Sequence, residues 1–569
     1  MRWVVTAAWP YVNTTPHLGT FLQLLTGDVF ARYRRLMGDE VLYVSGSDAH
    51  GTPILVSAER EGLTAEQVAF KYHAEYLRLL KDWNIQFDNY TITHNPTHIR
   101  FCQGFYRRLY ENGYIYAERS LQTYCEHEQR FLPDRFVEGN CPYCGAPGAR
   151  GDQCTNPACE RLLTPTELVN PYCVVCRNPP VLRETTHWYF DLPKFADRLR
   201  EFLEKNTRST EAARLFSLRM IQEGLKARPV TRDLDWGIPA APAFEGAEGK
   251  VLYVWAEAVL GYISATVEWA ERRGEAEAWK RFWLDPETRT VFCVGKDNTV
   301  FHLVIFPALL MASKEPYVLP YAVTVTEFIM YENQPFSKSK GVGVWADEAL
   351  RLAPADYWRF ILMANRPETR DMNFTWEDFA ERVNGELNDN LGNFVHRTLT
   401  FIYRYFDGQV PKAGPLNAED KELLEGIAAA ARQEAAFLDE FRFRDALEAA
   451  LALSRKGNVY LSRREPWRIV KTDRDAAATV LNVSAQVVKA LAVLIAPFLP
   501  ETANRIWDML GLQGTVYEAG FHASYDSPLP AGENIKKPKP LFAKVNAEEL
   551  AQRLKALRAV AEARDGLAR

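Results

Sequence analysis

The chain of 569 residues is long enough for three to five domains at roughly 100 to 200 residues each. Its apolar, charged, glycine and proline contents lie near globular averages, which excludes a disordered or fibrous chain. A formal net charge of -5 excludes nucleic-acid binding through a global positive field, so any RNA contact rests on local patches. Arg32/Arg34/Arg35, Arg463/Arg464/Arg468 and Lys536/Lys537/Lys539 are such patches, each equally readable as plain solvated surface.

Met1 leads directly into a strand-like run without a charged and apolar leader. The longest apolar stretches, residues 303–312 and 487–500, fall short of the roughly 18 to 20 residues of a membrane span. A cytoplasmic protein is expected. Nine cysteines in such a chain point to metal or catalysis before disulfides.

In chain order, residues 3–8 read as a strand and residues 18–36 as a helix starting near His17, with Pro16 in its first turn. That puts an imidazole and Gly19 at the positive end of a helix, where free N–H groups favour an anion such as a phosphate. The plainer reading of His17 is a cap or a packed side chain. Residues 40–46 read as a second strand ending in Ser47-Asp48-Ala49-His50-Gly51-Thr52-Pro53, and helical stretches follow to Tyr110. This βαβ order predicts a doubly wound parallel sheet with ligands at the carboxyl ends of its strands. Asp48 and His50 could also be simple loop caps.

From about residue 119 to 228 the composition changes. Cys141 and Cys144, Cys154 and Cys159, and Cys173 and Cys176 form three knuckles, preceded by Cys125. Two knuckles complete a tetrahedral site of four thiolates, so Cys141, Cys144, Cys154 and Cys159 are the expected first zinc site. Cys173 and Cys176 need partners, and Cys125 with His127 or Glu128 is the nearest supply. Closed sulfur-rich sites are structural, without an open catalytic position. Cys102 and Cys293 are expected to be small core residues.

The α/β alternation returns near Thr231, so the cysteine-rich segment reads as an insertion into one sheet. Residues 251–255 read as a strand leading into a helix with Tyr262. Residues 291–297 read as a buried strand ending at Gly295-Lys296-Asp297, with Phe301-His302 on the next helix. Phe336-Ser337-Lys338-Ser339-Lys340-Gly341 is a basic loop whose lysines could close over phosphates. From about 386 to 536 a 3.6-residue apolar period predicts a helical bundle, seen in residues 423–437 and 446–460. Within it Trp467 lies between Arg464 and Arg468, an arrangement suited to stacking on an unpaired RNA base or to burial beside a helix start. A linker, residues 536–540, and an amphipathic helix, 546–563, end the chain.

Taken together, these parts resemble the methionyl branch of the class I aminoacyl-tRNA synthetases over nearly the whole chain. His17-Leu18-Gly19-Thr20 is similar to the family's HIGH signature and Phe336-Ser337-Lys338-Ser339 to its KMSKS loop. Ala8-Trp9-Pro10-Tyr11, Ser47 to Pro53, Tyr253-Val254-Trp255 with Tyr262, and Gly295-Lys296-Asp297-Asn298 with Phe301-His302 carry the likeness to methionine enzymes. The resemblance implies an α/β fold, a Rossmann-like doubly wound parallel sheet split by a zinc-knuckle insertion, followed by an all-α anticodon-binding bundle. It divides the chain into a first catalytic half (1–118), the zinc-knuckle insertion (119–228), a second catalytic half (229–322), the signature-loop region (323–385), the anticodon-binding domain (386–536) and a terminal linker and helix (537–569).

It further implies an ATP-dependent methionine-tRNA ligase with His17, Thr20 and Lys338 at the chemistry. Asn13, His17, Gly19, Thr20, Arg232, Gly295, Asp297 and Lys338 would bind ATP. Asp48 would face the amino group of methionine, with Trp9, Tyr11, Trp255, Ala258, Tyr262, Phe301 and His302 around its side chain. Asn393, Arg397, Pro466 and Trp467 would read the CAU anticodon. The implied partners are tRNA(Met), L-methionine and ATP with Mg2+; one or two structural zinc ions, no membrane and a monomer are expected. Thr20 replaces the second signature histidine, Pro335 replaces the first signature lysine, and Val259 stands where the family usually has proline. These departures leave open an alternative, a synthetase-derived RNA-binding protein without aminoacylation. A synthetase for cysteine or an aliphatic amino acid is disfavoured by the missing editing insertion and by Trp255, Tyr262 and His302.

Overall fold

The computed structural model describes residues 1–337 and 341–567, apart from 157 and 160. The chain divides into two compact units, residues 1–15, 42–78 and 87–325 in the first, and residues 16–41, 79–86 and 326–569 in the second.

The first unit is built on a five-stranded sheet. Its strands are β1 (Arg2–Ala7), β2 (Glu40–Ser47), β3 (Asn89–Ile92), β6 (Thr288–Gly295) and β7 (Ala322–Thr326), with β4 and β5 lying in the inserted lobe described below. Val4, Val5, Val291 and Phe292 are wholly buried, as expected of sheet strands covered on both faces. The spatial order is β7-β6-β1-β2-β3. β1 runs parallel to β6 from Arg2↔Thr288 to Ala7↔Cys293, and β2 runs parallel to β3. The connections leave β1 and β6 toward opposite edges, so a topological switch point lies at their carboxyl ends, the place where such sheets bind ligands.

The inserted lobe is framed by two long antiparallel strands, β4 (Ile115–Cys125) and β5 (Val181–Phe190), paired from Ile115↔Phe190 to Tyr124↔Val181. Between them the chain forms short strands around a small core that includes Cys125, Phe136, Val137, Cys141, Cys154 and Cys173. So small a core gains most from a metal or another staple.

The second unit is mainly helical. Besides Leu18–Leu36 it contains Asn393–Tyr405, Ala418–Asp439, Phe443–Arg464, Arg474–Leu494 and Pro500–Met509. Arg474–Leu494 is long and apolar enough to cross a membrane, with a mean hydropathy of 1.6, but 89% of that window is buried in the bundle. Its apolar residues face neighbouring helices all round, which marks a central core helix.

Three local expectations are corrected. The first helix begins at Leu18 and His17 is its cap with extended backbone (φ -94, ψ 170), so Pro16 precedes the helix instead of occupying its first turn. Of residues 251–255 only Val251–Leu252 is a strand. Val254–Ala258 is a helix, because the partner strand Thr231–Arg232 ends there and pairing overrides the β preference of Tyr253 and Trp255. The Arg32/Arg34 patch is structural and not a phosphate-binding surface. Arg32 is buried against Asp28 (2.7 Å) and Tyr517 (2.7 Å), and Arg34 pairs with Asp39 (3.0 Å) and Asp439 (2.9 Å).

Candidate active site and metal centre

Beyond β1 the chain stays paired with the segment beyond β2. Asp48 N donates to Pro10 O (2.8 Å) and Val12 N to Asp48 O (3.1 Å), which sets Tyr11 opposite Asp48. The Trp9 ring packs closely against two glycines. A side chain at Gly46 would come within 2.1 Å of its ring, and one at Gly261 within 2.7 Å. This is how a bulky residue is accommodated there: both neighbouring positions have no side chain.

Trp255, on Val254–Ala258, donates through its indole N–H to Tyr11 Oη and meets Phe301 edge-on at 4.4 Å between ring centroids. Phe301 and His302 open a wide turn, closed by Phe306 N donating to Phe301 O, of the kind common at functional sites. Tyr262 Oη donates to His302 Nε2 (2.7 Å) and His302 Nδ1 donates to Asn298 O (2.9 Å). Burial lowers His302 to about 4, so this imidazole is neutral and the tautomer is defined by its two partners. The structure thus gives two ring groups, Trp9 with Tyr262 and His302, and Tyr11 with Trp255 and Phe301, which meet in the chain at the neighbouring Phe301 and His302; Ala258 is buried on the same short helix as Trp255. Asp48 is buried and accepts from His50 N at 3.3 Å. Burial, followed by the nearby Glu257 carboxylate, pushes its carboxyl well above the usual range, while Arg135 opposes this. An acid in that setting calls for a cation.

Gly295 ends β6 at the switch point, and Asp297 follows with Asn298 Nδ2 donating to it (3.1 Å). Burial raises Asp297 as well. Asn13 Nδ2 donates to Ser57 Oγ (3.4 Å). The Arg232 guanidinium is held by Asp134 (3.0 Å) and stacks 3.7 Å over Tyr253, so its charge is already engaged.

In the second unit His17 Nδ1 accepts from Gly19 N (3.0 Å) and Thr20 N (3.4 Å) at the head of Leu18–Leu36. Its ring stacks on Phe336 at 4.9 Å. The segment after the signature loop pairs with this turn: Ala346 N donates to Pro16 O (2.9 Å) and Leu18 N to Val344 O (3.3 Å). Ser337 and Val342 exchange backbone hydrogen bonds of 2.8 and 2.9 Å across the loop base. Lys338, the expected phosphate-binding lysine, lies outside the described residues. Pro335 is exposed on a two-residue strand and paired with Met330.

In the helical bundle Asn393 and Arg397 lie one turn apart on Asn393–Tyr405. Arg397 covers the Trp467 ring at 5.0 Å, and Phe401 packs on it at 5.5 Å. Pro466 opens the next short helix after Glu465, whose positive φ of 39° breaks the chain direction.

In the inserted lobe the sulfurs of Cys141, Cys144, Cys154 and Cys159 all lie within 4.8 Å of one another, with Cys144 and Cys154 3.6 Å apart. Four thiolates at about 2.3 Å from a central ion stand roughly 3.8 Å apart, so the group fits a tetrahedral metal. The Ala146 N–H bonded to Cys144 lowers that thiol to about 7, in the direction metal binding requires. Cys125, Cys173 and Cys176 form a second group, with Cys125 and Cys176 sulfurs 3.4 Å apart. His127 and Glu128 both lie beside Cys176, so either could complete it.

Sequence reasoning missed three groups. Glu257 and His98 carried no motif; only the fold brings them to His50. Phe336 was treated as a loop letter, yet it packs on His17. Arg558, on the terminal helix Ala547–Leu567, donates to Gly341 O (2.6 Å), Gly343 O (2.7 Å) and Glu348 (2.7 Å), and so ties down the far side of the signature loop.

Residues 3–399 match the family described as tRNA synthetases class I (M), and residues 410–560 match the anticodon binding domain of methionyl tRNA ligase. A methionine-tRNA ligase of Thermofilum pendens is 49% identical over 550 residues, 96% of either chain. One of Aeropyrum pernix is 48% identical over 546 residues, 96% of this chain and 95% of the other. The methionyl-tRNA synthetase of Mycobacterium tuberculosis in complex with methionyl-adenylate superposes with a TM-score of 0.80 at 25% identity, over 95% of this chain and all of the other. The chain belongs to the methionine-tRNA ligase family of class I tRNA synthetases.

Proposed function

We propose that the chain activates L-methionine with ATP and transfers it to the terminal ribose of tRNA(Met). The observation that carries this reading is the pair of ring groups after the switch-point strands, Trp9 with Tyr262 and His302, and Tyr11 with Trp255 and Phe301, with buried Asp48 paired to Tyr11. A thioether gains from sulfur-aromatic contact in a water-poor slot, and a carboxylate answers the ammonium of an amino acid.

In the first step the methionine carboxylate attacks the α-phosphorus of ATP and pyrophosphate leaves. An in-line displacement of this kind needs positioning and donors for the charge growing on phosphate oxygens, with no covalent enzyme intermediate. By family resemblance Asn13, Gly295 and Asp297 are assigned to adenosine. His17 Nε2–H, the Thr20 side chain and Lys338 are assigned to phosphate. Mg2+ enters with ATP. In the second step the terminal ribose hydroxyl attacks the activated carbonyl and AMP leaves, while Asn393, Arg397, Pro466 and Trp467 read the anticodon. Zinc in the Cys141/Cys144/Cys154/Cys159 group would hold the inserted lobe in shape. Homocysteine, one methyl group smaller, is disfavoured by only about 1 to 3 kcal/mol, and the family resemblance implies that it is removed by cyclisation in the synthetic site. We place the protein in the cytoplasm as a monomer.

The test is ATP-pyrophosphate exchange across the standard amino acids. Exchange with methionine alone, lowered by roughly two decades in Lys338→Ala, is expected. Exchange driven by a different amino acid, or an unaffected Lys338→Ala, overturns the reading.

A further inference from the structure

The first unit buries a second cluster of titratable groups around Glu257, one position from Ala258 and two from Trp255 on Val254–Ala258. Glu257 is fully buried. Its Oε1 lies 2.7 Å from His50 Nδ1, and its Oε2 accepts from His98 Nε2. His50 Nε2 lies 3.0 Å from His94 Nδ1, and His98 Nδ1 lies 2.7 Å from Ser264 Oγ. Burial pushes the Glu257 carboxyl up, but His50 and His98 outweigh it and hold the group below the ordinary glutamate range.

A carboxylate only accepts, so each ring nitrogen facing Glu257 carries a hydrogen. His50 therefore donates through Nδ1–H and His98 through Nε2–H, while His50 Nε2 faces His94 and His98 Nδ1 faces Ser264, whose hydroxyl also lies 3.2 Å from Gly261 O. No lysine or arginine pairs with Glu257 among the described residues; its ion-pair partners are the two histidines.

His50 connects this charge to the slot. Its ring binds Glu257, and its backbone N–H donates to Asp48 Oδ1 at 3.3 Å. Glu257 pushes the buried Asp48 carboxyl up and Arg135 opposes it, so the state of Asp48 depends on how Glu257 and His50 are held.

We propose that Glu257, gripped by His50 and His98, is a positioning residue for the amino group of the substrate: through His50 it fixes the turn that presents Asp48 to the ammonium. This rests on the methionine reading above. Glu257 touches no substrate atom in this proposal and acts through His50.

The test uses the full chain and two ligands, methionine and 4-(methylthio)butanoate, which lacks the amino group. In Glu257→Gln the amide keeps the shape but sets its NH2 against one of the two ring N–H groups. Methionine binding, by calorimetry or competition, is expected to weaken about 10- to 100-fold, the range seen when the partner behind a metal ligand is lost. The des-amino acid should stay within about twofold, KM for methionine should rise while KM for ATP holds, and Glu257→Asp should recover part of the loss. Equal weakening of both ligands would mean that Glu257 only supports packing, and no weakening of either would mean that it has no role; both outcomes overturn the proposal. If Glu257→Gln does not fold, His98→Gln is read with the same two ligands. A wild-type protein that does not bind methionine overturns the underlying reading instead.

Discussion

His17 does two things that one substitution separates. Its Nδ1 accepts the Gly19 and Thr20 N–H groups and so caps Leu18–Leu36. The ring hydrogen is therefore on Nε2, and removal from water holds the imidazole at about 4, neutral at physiological pH. In the function proposed above, its service to a phosphate is that of a neutral N–H donor and not of a charge. Asparagine is as good a cap as any residue, so His17→Asn keeps the helix start within a few tenths of a kcal/mol, whereas His17→Ala loses about 1 kcal/mol. Neither substitute reaches where Nε2–H reaches. Loss of one transition-state donor costs about 10²- to 10³-fold, roughly 2.7 to 4 kcal/mol. Thermal unfolding and methionine-dependent pyrophosphate exchange should therefore diverge: His17→Asn is nearly as stable as wild type but depressed in exchange by two to three decades. Exchange within about threefold of wild type in His17→Asn would refute the donor role and leave His17 as a cap.

Arg359 is fully buried and donates to Asp28 (2.8 Å), Phe498 O (2.8 Å), Pro497 O (3.0 Å) and Asn84 O (3.1 Å). Arg359→Met leaves carbonyls unpaired and a buried carboxylate with one cation fewer, so denaturant unfolding of the second unit should show a loss of about 3 to 5 kcal/mol; a loss below about 1 kcal/mol contradicts this network. Metal analysis of the purified chain should find zinc, and Cys144→Ser should lower its content by about one ion per chain while making residues 126–180 protease-sensitive; unchanged metal in that variant removes the Cys141/Cys144/Cys154/Cys159 site. His302 has a folded value of about 4 against 6.5 when exposed, so below pH 6.5 the unfolded chain binds more protons. The stability advantage of wild type over His302→Gln should therefore be constant above pH 6.5 and shrink as pH falls toward 4; an advantage that grows on acidification contradicts a buried neutral imidazole.

Much of this protein was legible from local chemistry. Valine-rich runs such as β1 announced sheet strands buried on both faces, the 3.6-residue period announced the bundle, and paired cysteines announced a sulfur cluster, because each pattern is set by neighbours in the chain. His17, Asp48 and Asp297 stood out as polar groups after expected strands or at a helix start, where each also had a plain structural reading, and only the family resemblance gave them roles. What sequence alone could not settle is where two distant segments meet. Trp255 looked like a strand residue until the antiparallel partner ran out at Thr231, opposite Leu252. Arg32 looked like exposed cationic surface until Asp28 and Tyr517 closed over it. Glu257 is one letter in an apolar run, and only the meeting of its helix with His50 and His98 turns it into a buried charge beside Asp48. Period and spacing record what a residue does to its own turn or strand; the burial of a charge depends on partners hundreds of residues away, and those were decided only by the tertiary fold.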